Sequence, residues 1–534
     1  MKKVIDLLSR LWFVLFVLVC LLTLVIGVVF GQANEIKEAR YLTETDQNQK
    51  AVALLEKTNS AYPSTASVLY YLGIAQINEG QRDFAANTFN KGIGMDEKEP
   101  LNYVGRGYLS ILNNNPEKAK LDFDKALSLS KSRNIAVLQA IGEAYLEGKH
   151  TKDALDILLK ASTLDNQDAS TLALLGDAYL QENNGGLAVT SYEKASAANS
   201  KSARPHYKIG LVYLRSKNFA AAQAALMKAV EVDPGYTLAY KELGELFYQL
   251  KQGDKAVSYY EKYLALTSKP DTGKLRYAFF LFMAKEFARA NEVFKELVEK
   301  EDVSSITLRF YAVSLFEAGD YQQSRSLFER YFAKAGADDL EASDYAYFGK
   351  LMLKQNEDSL AIENLKKSIA LERKQPDILQ LLAETYFKAK KYPEAISAYV
   401  QLIELKGKAS SQDYYSLGRA YYFNKQYELA DTIFQKLIEM QPNMTVGYLW
   451  EARAKSNLDP ESENGLAKPY YEKVIEKAST NPEKNKNDLL EAYSYLGYYH
   501  FLKQEMQLSK SYWQKVIALN PDDAKAREAL KTLN

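Results

Sequence analysis

The chain has 534 residues, 47 % hydrophobic and 25 % charged, so apolar surface suffices for a packed core and global disorder is excluded. Its 68 Lys plus Arg equal its 68 Asp plus Glu, and the basic excess that neutralises nucleic-acid phosphates is missing. Three histidines and one cysteine leave few general bases or metal ligands and no intramolecular disulfide.

The N-terminus carries Lys2, Lys3 and Arg10, followed by an apolar run from Leu11 to Phe30 broken only by Thr23 and Gly27. Gly31-Gln32-Ala33 then places small residues as a signal peptidase site requires. Two readings of residues 1–33 stand: a cleaved signal peptide, or a transmembrane anchor over residues 11–30, since about 20 apolar residues can span a bilayer. Both keep the basic end in the cytoplasm and export the rest, to the periplasm or another extracytoplasmic space. Cys20 lies inside the run behind Val19, where a lipoprotein cysteine follows a small residue, and reads as packing.

Residues 34–521 repeat. Residues 210–234 read GLVYLRSKNFAAAQAALMKAVEVDP, residues 418–442 read GRAYYFNKQYELADTIFQKLIEMQP, and residues 497–521 read GYYHFLKQEMQLSKSYWQKVIALNP. In one frame a first small residue falls at Ala39, Gly73, Gly107, Gly142, Gly176, Gly210, Gly244, Ala278, Ala312, Gly349, Ala383, Gly418, Ala452 and Gly497. A second falls twelve later, from Ala51 and Ala85 through Ser324 to Ser509. A large residue such as Phe123, Tyr192, Tyr260, Phe294, Phe434 or Trp513 comes sixteen after the first. The period predicts paired amphipathic helices crossing at the small residues, where close approach requires that one helix add no bulk. Glycine inside a helix costs about 1 kcal/mol relative to alanine, so packing must recover the loss. Pro63, Pro234, Pro442 and Pro521 close second helices.

This pattern resembles the tetratricopeptide repeat, with fourteen copies spanning nearly all of residues 34–521. Five copies, the first and eighth among them, carry alanine in place of the glycine, the first also lacks an aromatic at its packing positions, the thirteenth carries about three extra residues near Glu461-Ser462-Glu463, and Ser479 to Asn487 form a polar insertion. Asp522-Asp523 and AKAREALKTL then predict a capping helix over residues 522–534. The resemblance implies an all-α fold, an α-solenoid coiled as a right-handed superhelix of antiparallel helix pairs, whose first helices line a concave groove that binds proteins or extended peptides.

Positions two, five, six, nine, twelve and thirteen of each copy are the expected groove lining. They supply Tyr70, Tyr71, Tyr108, Tyr207, Lys208, Lys241, Phe279, Phe282, Phe310 and Phe316. Later copies supply Tyr347, Lys350, Tyr415, Arg419, Tyr422, Trp450, Arg453, Tyr495, Tyr498 and Phe501. Tyr, Trp and Arg dominate binding hot spots, and the cluster around Arg419 and Arg453 is the favoured patch. Each ring also fits a second role, packing between neighbouring copies. The Lys–Asn pair by which chaperone-binding members hold an acidic C-terminus occurs in no copy, and Lys241 is followed by Glu245.

No phosphate-binding glycine loop, HExxH zinc motif or GxSxG nucleophile elbow occurs. His150, His206 and His500 read as turn or packing residues. The expectation is a non-catalytic scaffold or adaptor without cofactor or metal, binding proteins but not nucleic acid, and touching membrane only through an uncleaved N-terminus. A glycan or cell-wall polymer stays open as the alternative occupant, because aromatic faces with polar edges suit sugars too.

Overall fold

A computed structural model describes residues 32–299 and 303–533. The basic end and apolar run assigned to a signal or anchor lie outside the described residues. No helix among the described residues is long and apolar enough to cross a membrane. No strand occurs among them either.

Helices pair as the period requires. Residues 32–44 pack with Asn48–Ala61, Ala66–Asn78 with Arg82–Met95, and Pro100–Leu112 with Pro116–Leu129, and so on to Lys486–Leu502 with Met506–Leu519. Local chemistry sets the starts. Pro100 and Pro116 open helices where no backbone donor is needed, and Asn115, Asn134, Asp168 and Asn218 accept from backbone N–H groups of the first turn.

The small residues sit at the crossings. A Cβ added at Gly73 would meet the Phe89 ring at 2.2 Å, at Gly107 the Phe123 ring at 2.5 Å, and at Gly418 the Phe434 ring at 2.5 Å. The rings that fill these spaces, Phe89, Phe123, Tyr192, Phe294, Phe328 and Phe434, are almost wholly buried. Where serine replaces the second small residue, its hydroxyl is satisfied within the repeat: Ser324 Oγ donates to the Ala312 carbonyl at 2.8 Å and Ser509 Oγ to the Gly497 carbonyl at 2.7 Å.

A further regularity lies in the turns. Seven residues after the first small residue, the backbone adopts positive φ at Asp46, Gly80, Asn114, Lys149, Asn183, Lys217, Lys251, Lys285, Gly319, Asn356, Lys390, Lys425 and Gln504. In the thirteenth repeat the extra residues move this turn to Ser462, φ 54°, and the Asp459 carboxylate orders it by accepting from the Asn464 and Leu466 N–H groups.

The chain divides into two compact units, which part at residues 301–302. The first holds repeats 1 to 8 and the second repeats 9 to 14. In the first unit the chain returns on its own start. The Thr237 hydroxyl donates to the Thr45 carbonyl, both residues being fully buried, and Ser268 Oγ donates to the Asp46 carbonyl at 3.4 Å. Lys269 pairs with Glu79 at 3.1 Å, and Gly235 lies so close to Tyr41 that an added Cβ would stand 2.6 Å from its hydroxyl. These contacts form a clasp in which the chain around repeat 7 meets the turns of repeats 1 and 2. The second unit ends in Ala524–Thr532, capped by Asp523 and laid over Trp513 and Val516.

Candidate functional site

The clasped unit borders a half-open cavity of about 660 Å³, walled by the first helices of repeats 1 to 6 and by Tyr236 and Leu238 at the start of repeat 7. Five sequence-predicted residues meet there: Tyr70, Tyr71, Tyr108, Tyr207 and Lys208. Tyr70 and Tyr71 lie edge to face at 5.0 Å, and Tyr207 packs on Tyr236 at 5.4 Å. Among the described residues, none of the hydroxyls of Tyr70, Tyr71, Tyr108, Tyr207 and Tyr236 has a hydrogen-bond partner, and none is sealed from solvent.

Charges converge on the same space. Asp177 accepts from the Tyr192 hydroxyl at 2.7 Å and pairs with Arg204 at 3.0 Å and Lys208 at 2.8 Å. Burial pushes the Asp177 carboxyl up, but Lys208 and Arg204 outweigh it and hold the group below the usual carboxylate range. Glu44 and Glu143 have no ion-pair or hydrogen-bond partner of that kind among the described residues. Enclosure raises both, against the pull of Arg204 and Arg40. Arg40 lies 5.9 Å from the Tyr71 ring centre. Arg40, Glu44, Glu143, Asp177 and Arg204 were missed by the sequence reading, although all five occupy its groove positions. The expected lining was drawn from aromatic side chains and some basic ones, which left these carboxylates and their arginine partners out.

Lys241 lies outside this cavity, with its ammonium 5.9 Å from the Tyr263 ring centre. Phe279 and Phe282 pack on Phe294 and Phe287, the latter two rings belonging to the second helix of the same repeat. In the second unit Phe310 lies beside Arg309, Phe316 packs on Tyr347, and Lys350 covers Tyr347.

The largest gathering in that unit surrounds Trp450, which is 9 % exposed and stacks on Phe434 at 5.8 Å. Tyr415 and Tyr422 meet its edges at 6.4 and 5.3 Å, and Arg419 and Arg453 lie against its ring at 5.4 and 4.6 Å. Arg453 also forks onto Glu491, at 2.8 and 2.6 Å. Tyr495 stacks on Tyr471 at 4.4 Å, whereas Tyr498 and Phe501 are exposed.

Behind Trp450 lies a buried acid pair. Glu451 is fully buried, and its Oε2 has no donor in reach. Burial, and then the neighbouring Asp431 carboxylate, push Glu451 up to about 9. Asp431 is held low despite burial, by Glu451 and by Lys455 at 2.8 Å. Glu451 therefore keeps its proton at neutral pH and donates it to the Asp431 carboxylate. No group of His, Cys, Asp and Glu among the described residues could hold a metal ion.

Family profiles described as "Tetratricopeptide repeat" match residues 207–270 and 414–444, and one described as "TPR repeat" matches residues 176–217. The C-terminal part of a TPR repeat-containing protein from Cytophaga hutchinsonii is 35 % identical, covering 48 % of this chain and 98 % of that chain with a TM-score of 0.41. The chain belongs to the tetratricopeptide repeat family. Proteins of this family generally act as protein-interaction scaffolds and are typically non-catalytic. Similarity extends to PilF of Pseudomonas aeruginosa, 21 % identical over 40 % of this chain and 96 % of that one, with a TM-score of 0.30. It also extends to human intraflagellar transport protein 70A, 26 % identical over 166 residues, which are 30 % of this chain. The match spans about a quarter of the length of that relative.

Proposed function

We propose that this tetratricopeptide repeat protein is a non-catalytic scaffold that holds partner polypeptides against its concave first helices, on the non-cytoplasmic side of a membrane. The cavity of the first unit carries the reading. Five phenol hydroxyls without partners among the described residues, with Arg40 and Glu143 beside them, are donors and acceptors left for something else to satisfy. The basic residues and apolar run at the N-terminus support export.

A photo-crosslinking amino acid placed at Tyr71 or Tyr108 in the full chain tests the binding face. The same group at Leu121, which is 72 % exposed on the second helix of its repeat, is the control. Adducts with a second polypeptide are expected from the first two positions and not from the third. Equal labelling at all three, or labelling only at Leu121, refutes the assignment. N-terminal sequencing of exported protein tests the leader: a start at Asn34 means release, an intact Met1 means a tether.

A further inference from the structure

Half-buried arginines of the second unit meet carboxylates. Arg309 bonds Glu341 and Asp344, Arg325 bonds Glu329 and Glu357, and Arg453 bonds Glu491. Arg419 does not. Its guanidinium carbon lies 4.9 Å from the ring centre of Phe387, 5.2 Å from Tyr415, 5.4 Å from Trp450 and 6.0 Å from Phe423. Its Nε is sealed from solvent with no hydrogen-bond partner, the one arginine nitrogen in that state among the described residues. Among the described residues its terminal nitrogens have no hydrogen-bond partner, and they stay open to solvent. The nearby Glu384 accepts from Gln380 at 2.9 Å and makes no ion pair with Arg419.

The surroundings make this cation strong and unsatisfied. Ring faces hold the guanidinium plane and exclude water, which strengthens any charge-assisted hydrogen bond to its open edge. Glu491 pairs with Arg453, which leaves Arg419 as the arginine at Trp450 without a carboxylate bonded to it among the described residues. Phe423, 41 % exposed, borders the same edge with apolar surface.

We propose that Arg419 and its ring box bind a carboxylate of a partner polypeptide, an acidic side chain or a chain end, with an apolar neighbour resting on Phe423. The inference rests on the scaffold reading and names the partner's chemistry. The full chain is titrated with fluorescein-labelled peptides: Leu-Glu-Glu-Leu amide, Leu-Gln-Gln-Leu amide, Leu-Gln-Gln-Leu free acid, and a phosphoserine counterpart.

Replacing both Glu by Gln should weaken binding roughly tenfold to a hundredfold. Tight binding of the Gln peptide as free acid assigns the site to a chain end. Arg419→Gln and Arg419→Met should each abolish the acidic preference, and Arg419→Lys should keep part of it. Arg419→Met should also leave the melting temperature unchanged or raised, because it removes a buried N–H without an acceptor. Equal binding of the Glu and Gln amides by wild type, a preference for phosphoserine, or acid selectivity surviving in Arg419→Met overturns the inference. Crosslinks at Tyr71 without peptide selectivity would remove the Arg419 site and leave the scaffold; selectivity without crosslinks would do the reverse.

Discussion

Glu451→Gln should stabilise the second unit at neutral and alkaline pH. Glutamine keeps the shape, still accepts from Gln435, and donates an amide N–H to Asp431 without needing a proton from solvent. The wild-type carboxyl sits near 4.5 when unfolded and is raised to about 9 when folded. Its contribution is therefore fully present below about pH 4.5 and fades as pH rises toward about 9. Between pH 4.5 and 7 the loss at 1.36 kcal/mol per unit reaches about 3 kcal/mol as an upper bound. Relaxation around the buried pair brings that to about 2–3 kcal/mol, or roughly 5–10 °C in melting temperature for a unit of this size. Urea or thermal melts of both proteins from pH 4.5 to 9 measure it. The two should agree at the acid end and separate as pH rises. A difference that stays flat with pH would show Glu451 ionised in the fold and refute the shared-proton reading.

Two glycines that look alike in sequence should behave oppositely. Gly107→Ala drives a Cβ into the Phe123 ring at 2.5 Å and toward the Ala119 carbonyl at 3.2 Å, and should lower stability by about 1–3 kcal/mol. Gly94→Ala meets nothing within 4 Å and should raise it by about 0.5–1 kcal/mol. Urea melts read both, and equal signs would discredit the crossing geometry. Thr237→Val removes the buried hydroxyl from the Thr45 carbonyl and should speed amide exchange in residues 32–61 about tenfold, leaving the second unit unchanged. Unaltered exchange in the first repeat would mean that the clasp carries no free energy.

The helix pairs and crossings were legible because a period of about 34 residues forces the same packing problem again and again. Gly73, Gly107 and Gly418 stand out in the sequence itself, since only small residues solve it. The left-handed turn residues were not. Two of them are glycine, Gly80 and Gly319, while Lys149, Lys217, Lys251, Lys285, Lys390 and Lys425 give no signal by type, because the helix-to-helix geometry imposes that backbone whatever the side chain. Groove positions were legible as register, which is why Tyr70, Tyr71, Tyr108, Tyr207 and Lys208 reach one cavity. Pairing across repeats was not: nothing local to Arg453 announces Glu491, or to Arg419 the lack of any counterpart. Glu451 looked like one carboxylate among many, and only its full burial beside Asp431 separates it.

The return of repeat 7 onto repeat 1 changes the statistics of the first unit. An ordinary tandem array is a one-dimensional lattice with two free ends, and its terminal repeats fray first. Joining Thr237 to Thr45 of repeat 1, with Lys269 on Glu79 of repeat 2 beside it, imposes something close to a periodic boundary. Repeat 1 then has a neighbour on each side, and any local opening must break two junctions instead of one. The same closure converts a groove into an eyelet. On the scaffold reading proposed above, a polypeptide held in that space would gain a further route of entry and escape each time the clasp parted.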